Sequence, residues 1–167
     1  MIISLTGYMG SGKSSVGEAL AAKLGWEFTD LDSYVEHKAG KSIDSIFSEH
    51  GESVFRALEA EAVRDRIVMS EVEGFNLVLA LGGGTLCINS VRPLILEHTE
   101  CVWLKASAAT VRERLSGTSG RPLFAPESVE KLLCEREPIY AQARRVVCTD
   151  SLGIDGVVEE ISSFLTA

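Results

Sequence analysis

The stretch Gly7-Tyr8-Met9-Gly10-Ser11-Gly12-Lys13-Ser14 constrains this chain more than any other. It has the spacing GxxxxGK[ST] and lies between a short apolar run, Ile2–Leu5, and a segment with helical apolar spacing, Lys13–Leu24, marked by Val16, Leu20 and Leu24. A strand, a glycine-rich turn and a helix in that order give the spacing its physical meaning. Glycines let successive backbone N–H groups point inward at phosphate oxygens. The helix that follows adds the positive end of its dipole. Lys13 is placed for the β- and γ-phosphates of a nucleotide and Ser14 for a magnesium ion. Gly10, Ser11, Gly12 and Ser15 complete the candidate ATP-binding cradle.

The rest of the chain alternates in the same way. Trp26–Thr29, Asn76–Leu81, Cys101–Leu104 and Val146–Cys148 read as further strands. Helical patterns run from Gly51 to about Ser70, over Val91–Leu96, from an N-cap at Ser107 to Leu115, over Ser128–Arg145 and over Ile154–Leu165. Gly25 reads as a helix stop, and Ser116–Ala125 as a Gly/Ser/Pro-rich loop. Short apolar strands separated by helices imply a five-stranded parallel sheet covered on both faces. Ligands of such sheets sit beyond the carboxyl ends of the strands. A length of 167 residues suits one domain with a real core and is too short for two ordinary ones.

Charge and composition narrow the partners. The formal net charge of −8 argues against nucleic acid and against a membrane surface, both polyanionic, but not against a small anion in a local basic pocket. Cys87, Cys101, Cys134 and Cys148 form no CxxC pair and have no histidine cluster beside them, so a zinc site is not expected. Cys101 and Cys148 lie in apolar runs and read as buried small hydrophobes. No basic leader precedes the first strand and no apolar run approaches the ~18 residues of a span, so the expected location is the reduced cytoplasm.

A phosphate cradle alone does not separate kinase from ATPase or GTPase. Asp150-Ser151-Leu152-Gly153 spells DxxG but follows the last strand, and NKxD is absent, so it reads as a connecting turn. The strand Asn76–Leu81 ends in Gly82-Gly83-Gly84 rather than in the acid a motor ATPase needs. Asp30-Leu31-Asp32 supplies acids instead: in extended chain, residues two apart point the same way. One carboxylate can then serve magnesium and the other a substrate hydroxyl. A helix N-cap with a first-turn acid fits that pair equally well. Arg56 can pair with Glu59 on one helix face. Arg136 falls on the apolar stripe of its helix, among Val129, Leu132, Leu133, Ile139, Tyr140 and Ala143, where an arginine needs an anion or must reach out to water. Pro138 should bend or end that helix nearby.

Taken in order, the cradle, the DxD, Phe55-Arg56, the triple glycine with Thr85, Arg121-Pro122 and Arg136-x-Pro-x-Tyr together resemble shikimate kinase over nearly the whole chain. The resemblance implies a three-layer α/β/α P-loop kinase fold with a flexible lid. It implies a single domain over residues 1–167, a substrate-binding region at about 31–60 and a lid at about 114–126. The implied reaction moves the γ-phosphate of ATP, with Mg²⁺, to the 3-hydroxyl of shikimate, within aromatic amino-acid biosynthesis. Asp32, Lys13 and Arg121 would be catalytic, Arg121 as a lid arginine that excludes water and stabilises the transferring phosphoryl. Arg56 and Arg136 would grip the substrate carboxylate, with Gly82, Gly83 and Gly84 bringing backbone close. Asp30 would hold Mg²⁺ with Ser14, directly or through water. Arg114, a better match than Arg112, would stack on adenine, while Phe47 and Phe55 would wall the pocket. A monomer is implied. The sequence departs from the family in a short Arg121–Arg136 segment and in a Thr149–Asp155 loop without arginine.

Overall fold

A computed structural model describes residues 1–116 and 128–166. The strands are β1 (Ile2–Thr6), β2 (Glu27–Asp30), β3 (Leu77–Ala80), β4 (Glu100–Lys105) and β5 (Arg145–Cys148). They pair in the order β2-β3-β1-β4-β5, every pair parallel, with Ile3 opposite Val78 on one side and Glu100 on the other. The alternation that was faint in such apolar runs is plain here. Ile2, Leu77, Leu79, Cys101 and Trp103 face one layer of helices. Ile3, Leu5, Val78, Val102, Leu104 and Val147 face the other. Burial on both faces is what makes the strands read as continuous apolar runs.

Helices α1 (Lys13–Leu24) and α7 (Ile154–Thr166) cover the second face, through Val16, Leu20, Val157 and Ile161. The first face carries α2 (Leu31–Ala39), α3 (Ile43–Glu73), α4 (Arg92–His98), α5 (Ala108–Leu115) and α6 (Val129–Tyr140). The chain leaves the carboxyl end of β1 for β2 on one side, and leaves β3 for β4 on the other side of β1. That divergence opens a crevice above β1 and β3, the place a doubly wound sheet offers a ligand.

Several boundaries differ from the sequence reading. The segment after β2 is helical, so Asp30-Leu31-Asp32 does not run extended: Asp30 is the N-cap of α2, accepting from Ser33 N, and Asp32 sits in its first turn. The apolar stripe of α2 is thin, Leu31 and Val35, which hid the helix. Helix α3 starts at Ile43, capped by the Ser42 side chain, and not at Gly51, which is a non-helical residue within it. Helix α6 stops at Tyr140 rather than Arg145, soon after Pro138, because Arg145 already pairs with Val102 in the sheet. The Ser107 cap is as expected, its hydroxyl accepting from Thr110 N. Cys101 is buried, but Cys148 is exposed. Its strand is the sheet edge, and α6 packs on α5 and on the turn at Thr85–Cys87.

Candidate active site

Three segments converge in the crevice. The first is the glycine-rich turn after β1. Gly7, Gly10 and Gly12 have φ of 140°, 79° and 96°, the left-handed half of the map that L side chains avoid. A Cβ on Gly7 would come within 2.5 Å of the Leu104 carbonyl oxygen. Lys13 is buried with its Nζ donating to the carbonyls of Gly7 (2.9 Å) and Tyr8 (3.0 Å). The ammonium therefore lies across the mouth of its own loop, within reach of an anion held by the loop N–H groups.

The second segment is the junction of β2 and α2. Asp30 has two duties: Oδ1 caps α2, and Oδ2 accepts a hydrogen bond from Ser14 Oγ. A hydroxyl and a carboxylate oxygen side by side are the hard donors that Mg²⁺ prefers, and that ion usually fills its remaining positions with water and substrate phosphate. Among the described residues no group of three or more His, Cys, Asp or Glu could hold a metal ion.

The third segment is the glycine turn after β3. None of Gly82, Gly83 and Gly84 has a positive φ, so conformation does not demand glycine there. Space does. A Cβ on Gly82 would strike Glu59 Oε1 and lie 3.0 Å from Asp32 Oδ1. One on Gly84 would lie 2.6 Å from Arg56 Nη1, and one on Gly83 would press on Met9 N of the phosphate loop at 3.3 Å, with Arg136 Nη1 in ordinary contact at 3.8 Å. The turn is bare so that two acids, Arg56 and the phosphate-loop backbone can crowd it.

Helices α3 and α6 deliver those arginines. Arg56 Nη1 donates to Glu59 Oε2 at 2.5 Å, and Arg56 also pairs with Glu52. Burial works against the Arg56 charge, but the two glutamates outweigh it and raise the guanidinium pKa above its ordinary value. Glu59 is itself fully buried and accepts from Thr85 Oγ1 at 2.7 Å. Arg136 lies with Cζ 5.6 Å from the Tyr8 ring centroid and donates to Gly83 O at 3.4 Å. Tyr140 Oη donates to the same carbonyl at 2.5 Å.

Asp32, Arg56, Arg136, Gly82, Gly83, Gly84, Lys13, Ser14, Ser15, Asp30, Gly10, Gly12 and Arg114 all line one cleft of about 480 Å³, with Phe47 and Phe55 on its wall. Ser11, Gly12, Ser15 and Arg114 also border a second space of about 300 Å³, against Thr149, Leu152 and Ile154. Arg114 belongs to the pocket, donating to Gly10 O (3.2 Å) and Thr149 O (2.9 Å), whereas Arg112 pairs outward with Glu130. Arg121, and with it most of the expected lid, lies outside the described residues.

Sequence reasoning treated Glu59 only as a partner of Arg56. Its position on the apolar stripe of α3, four after Phe55 and four before Val63, carries the signal that singled out Arg136: an ionisable group on a buried face.

A family model for shikimate kinase matches residues 9–166. The chain belongs to the shikimate kinase family. It is 42% identical to a shikimate kinase of Chlorobium limicola, over 96% of this chain and 84% of that one. It is 40% identical to a shikimate kinase of Geobacter sulfurreducens, over 98% and 90%. The structure of shikimate kinase from Acinetobacter baumannii in complex with shikimate superposes with a TM-score of 0.90 at 30% identity, covering 99% of this chain and 92% of that one. These likenesses span nearly the whole chain, so the α/β kinase fold and the small-molecule kinase activity expected from the sequence both stand.

Proposed function

We propose that this chain transfers the γ-phosphate of ATP to the 3-hydroxyl of shikimate, with Asp32 facing the hydroxyl and Arg56 and Arg136 holding the carboxylate. The observation that carries the reading is the glycine turn after β3, against which the Asp32 and Glu59 carboxylates and two guanidinium groups converge in the cleft that the phosphate cradle also lines. A hydroxy acid with its carboxylate across a small ring from its hydroxyl presents complementary groups. Paired arginines fix a planar carboxylate in orientation as well as place.

Asp32 accepts the hydroxyl proton as the oxygen attacks, and before that it aims the lone pair. Lys13 exchanges the Gly7 and Tyr8 carbonyls for phosphate oxygens. Ser14 and Asp30 hold Mg²⁺, which when bound offsets charge on the phosphates. Arg114 borders the base side, and Arg121 is assigned the stabilisation of the transferring phosphoryl group. Most of the catalysis is positioning and charge stabilisation, as phosphoryl transfer requires. The chain acts as a single-domain monomer in the cytoplasm. Among the described residues no helix is long and apolar enough to cross a membrane.

A coupled ADP-release assay tests the reading. Wild-type protein with ATP and Mg²⁺ should turn over shikimate, and Asp32→Asn should lower kcat by about 10²–10⁴-fold while ATP still binds by calorimetry. Unchanged kcat in Asp32→Asn would remove that residue from the chemistry. Turnover of gluconate without shikimate would overturn the substrate.

A further inference from the structure

The two arginines of the cleft are held by different means. Arg56 is clamped by carboxylates, Glu52 and Glu59. Arg136 makes no ion pair among the described residues. Its direct hydrogen bond to Gly83 O is long, 3.4 Å, and it shares that carbonyl with Tyr140 Oη at 2.5 Å. What faces the guanidinium is the ring of Tyr8, with Cζ 5.6 Å from its centroid. An aromatic face attracts a guanidinium without consuming its N–H donors, so those not directed at Gly83 O stay available to a ligand. A carboxylate partner would instead compete with the substrate for the same donors.

Tyr8 is firmly placed for this purpose. It is the second residue of the phosphate loop, its side chain is 1% exposed, and its carbonyl accepts from Lys13 Nζ. Burial raises the phenol pKa, with Arg136 pulling the other way, so the ring is neutral and acts through its face. We infer that Tyr8 is a positioning residue: it holds the plane of Arg136 for the substrate carboxylate and makes the phosphate loop one wall of the acid-binding subsite. This role rests on the assignment of Arg136 as a carboxylate ligand made above.

Steady-state kinetics on the full chain, with shikimate and ATP each varied, test it. Tyr8→Leu removes the π face and keeps an apolar filling; it should raise KM for shikimate roughly three- to tenfold and leave KM for ATP within about twofold. Tyr8→Phe keeps the face and should restore KM for shikimate to within about twofold of wild type. In an Arg136→Ala background, Tyr8→Leu should add no further penalty, since the contact it removes is already gone. Should the leucine variant not fold, Tyr8→Met carries the same comparison. A parallel rise in both KM values overturns the role, as does failure of Tyr8→Phe to rescue or a full penalty without Arg136. A wild-type protein inactive on shikimate overturns the substrate assignment, and this role with it. An active wild type with an unmoved Tyr8→Leu overturns this role alone.

Discussion

Glu59 shows how much of the site hangs on one buried side chain. Its carboxylate is fully enclosed, accepts from Arg56 and Thr85, and leaves no room for a side chain on Gly82. Such a group is tolerated only because its partners are in place, and removing one member of a buried pair typically costs about 3–5 kcal/mol. Glu59→Ala should therefore lose roughly that much stability in urea unfolding. It should also raise KM for shikimate, because Arg56 would keep only the exposed Glu52 as partner. Glu59→Gln, which still accepts from Thr85, should lose less stability but show the same KM effect. A full stability loss with an unchanged KM would make Glu59 a fold residue only.

At the scale of elements, the break in α3 matters most. Gly51 has φ 81° and ψ 176°, a conformation close to glycine-only, and nothing lies within 4 Å of where a Cβ would stand. Any cost of a side chain there is backbone strain rather than collision. The short helical piece before it, from Ile43, places Ile43, Asp44 and Phe47 on the cleft wall, and Phe47 packs on Phe55 with ring centroids 4.8 Å apart. Gly51→Ala should lower stability by about 1–3 kcal/mol. It should also raise KM for shikimate, as the piece swings toward a straight helix and the wall opens. Loss of stability without a change in KM would mean that the wall is held by α2 instead. The break was not legible in the sequence for a physical reason. Glycine in a helical pattern signals equally a start, a stop or a kink, and only the tertiary seat of Ile46 and Phe47 decides among them. The same limit applied to α2, whose two buried residues were too few to register as a stripe. Strands β1, β3 and β4 were legible because the middle of a parallel sheet is buried on both faces. The phosphate cradle was legible because its chemistry lies in the backbone, which leaves a spacing in the sequence.

For the whole molecule, what escaped the sequence is which apolar surface ends up covered. Cys101 and Cys148 sit in similar apolar runs, yet β4 is interior and β5 is the edge of the sheet. Val146 and Cys148 are exposed as a result, while Val147 points into the layer shared with α7. Neither fate follows from composition; both follow from strand order, which long-range pairing decides. Thiol chemistry reads this difference directly, because the thiolate is the reactive form. Burial pushes the Cys101 thiol up to about 11 from an ordinary 9.0. At pH 8, below both values, a higher pKa means less thiolate, by about a hundredfold. Access is blocked as well, since a residue in a central strand is exposed only by global opening. Iodoacetamide at pH 8 should therefore label Cys134 and Cys148 quickly, Cys87 slowly because burial raises its pKa too, and Cys101 only once the chain is unfolded. Peptide mass spectrometry over a time course distinguishes the four. Labelling of Cys101 in native protein at the rate of Cys134 would contradict a sheet closed on both faces at β4. Protection of Cys148 matching that of Cys101 would mean that the β5 edge is covered in solution.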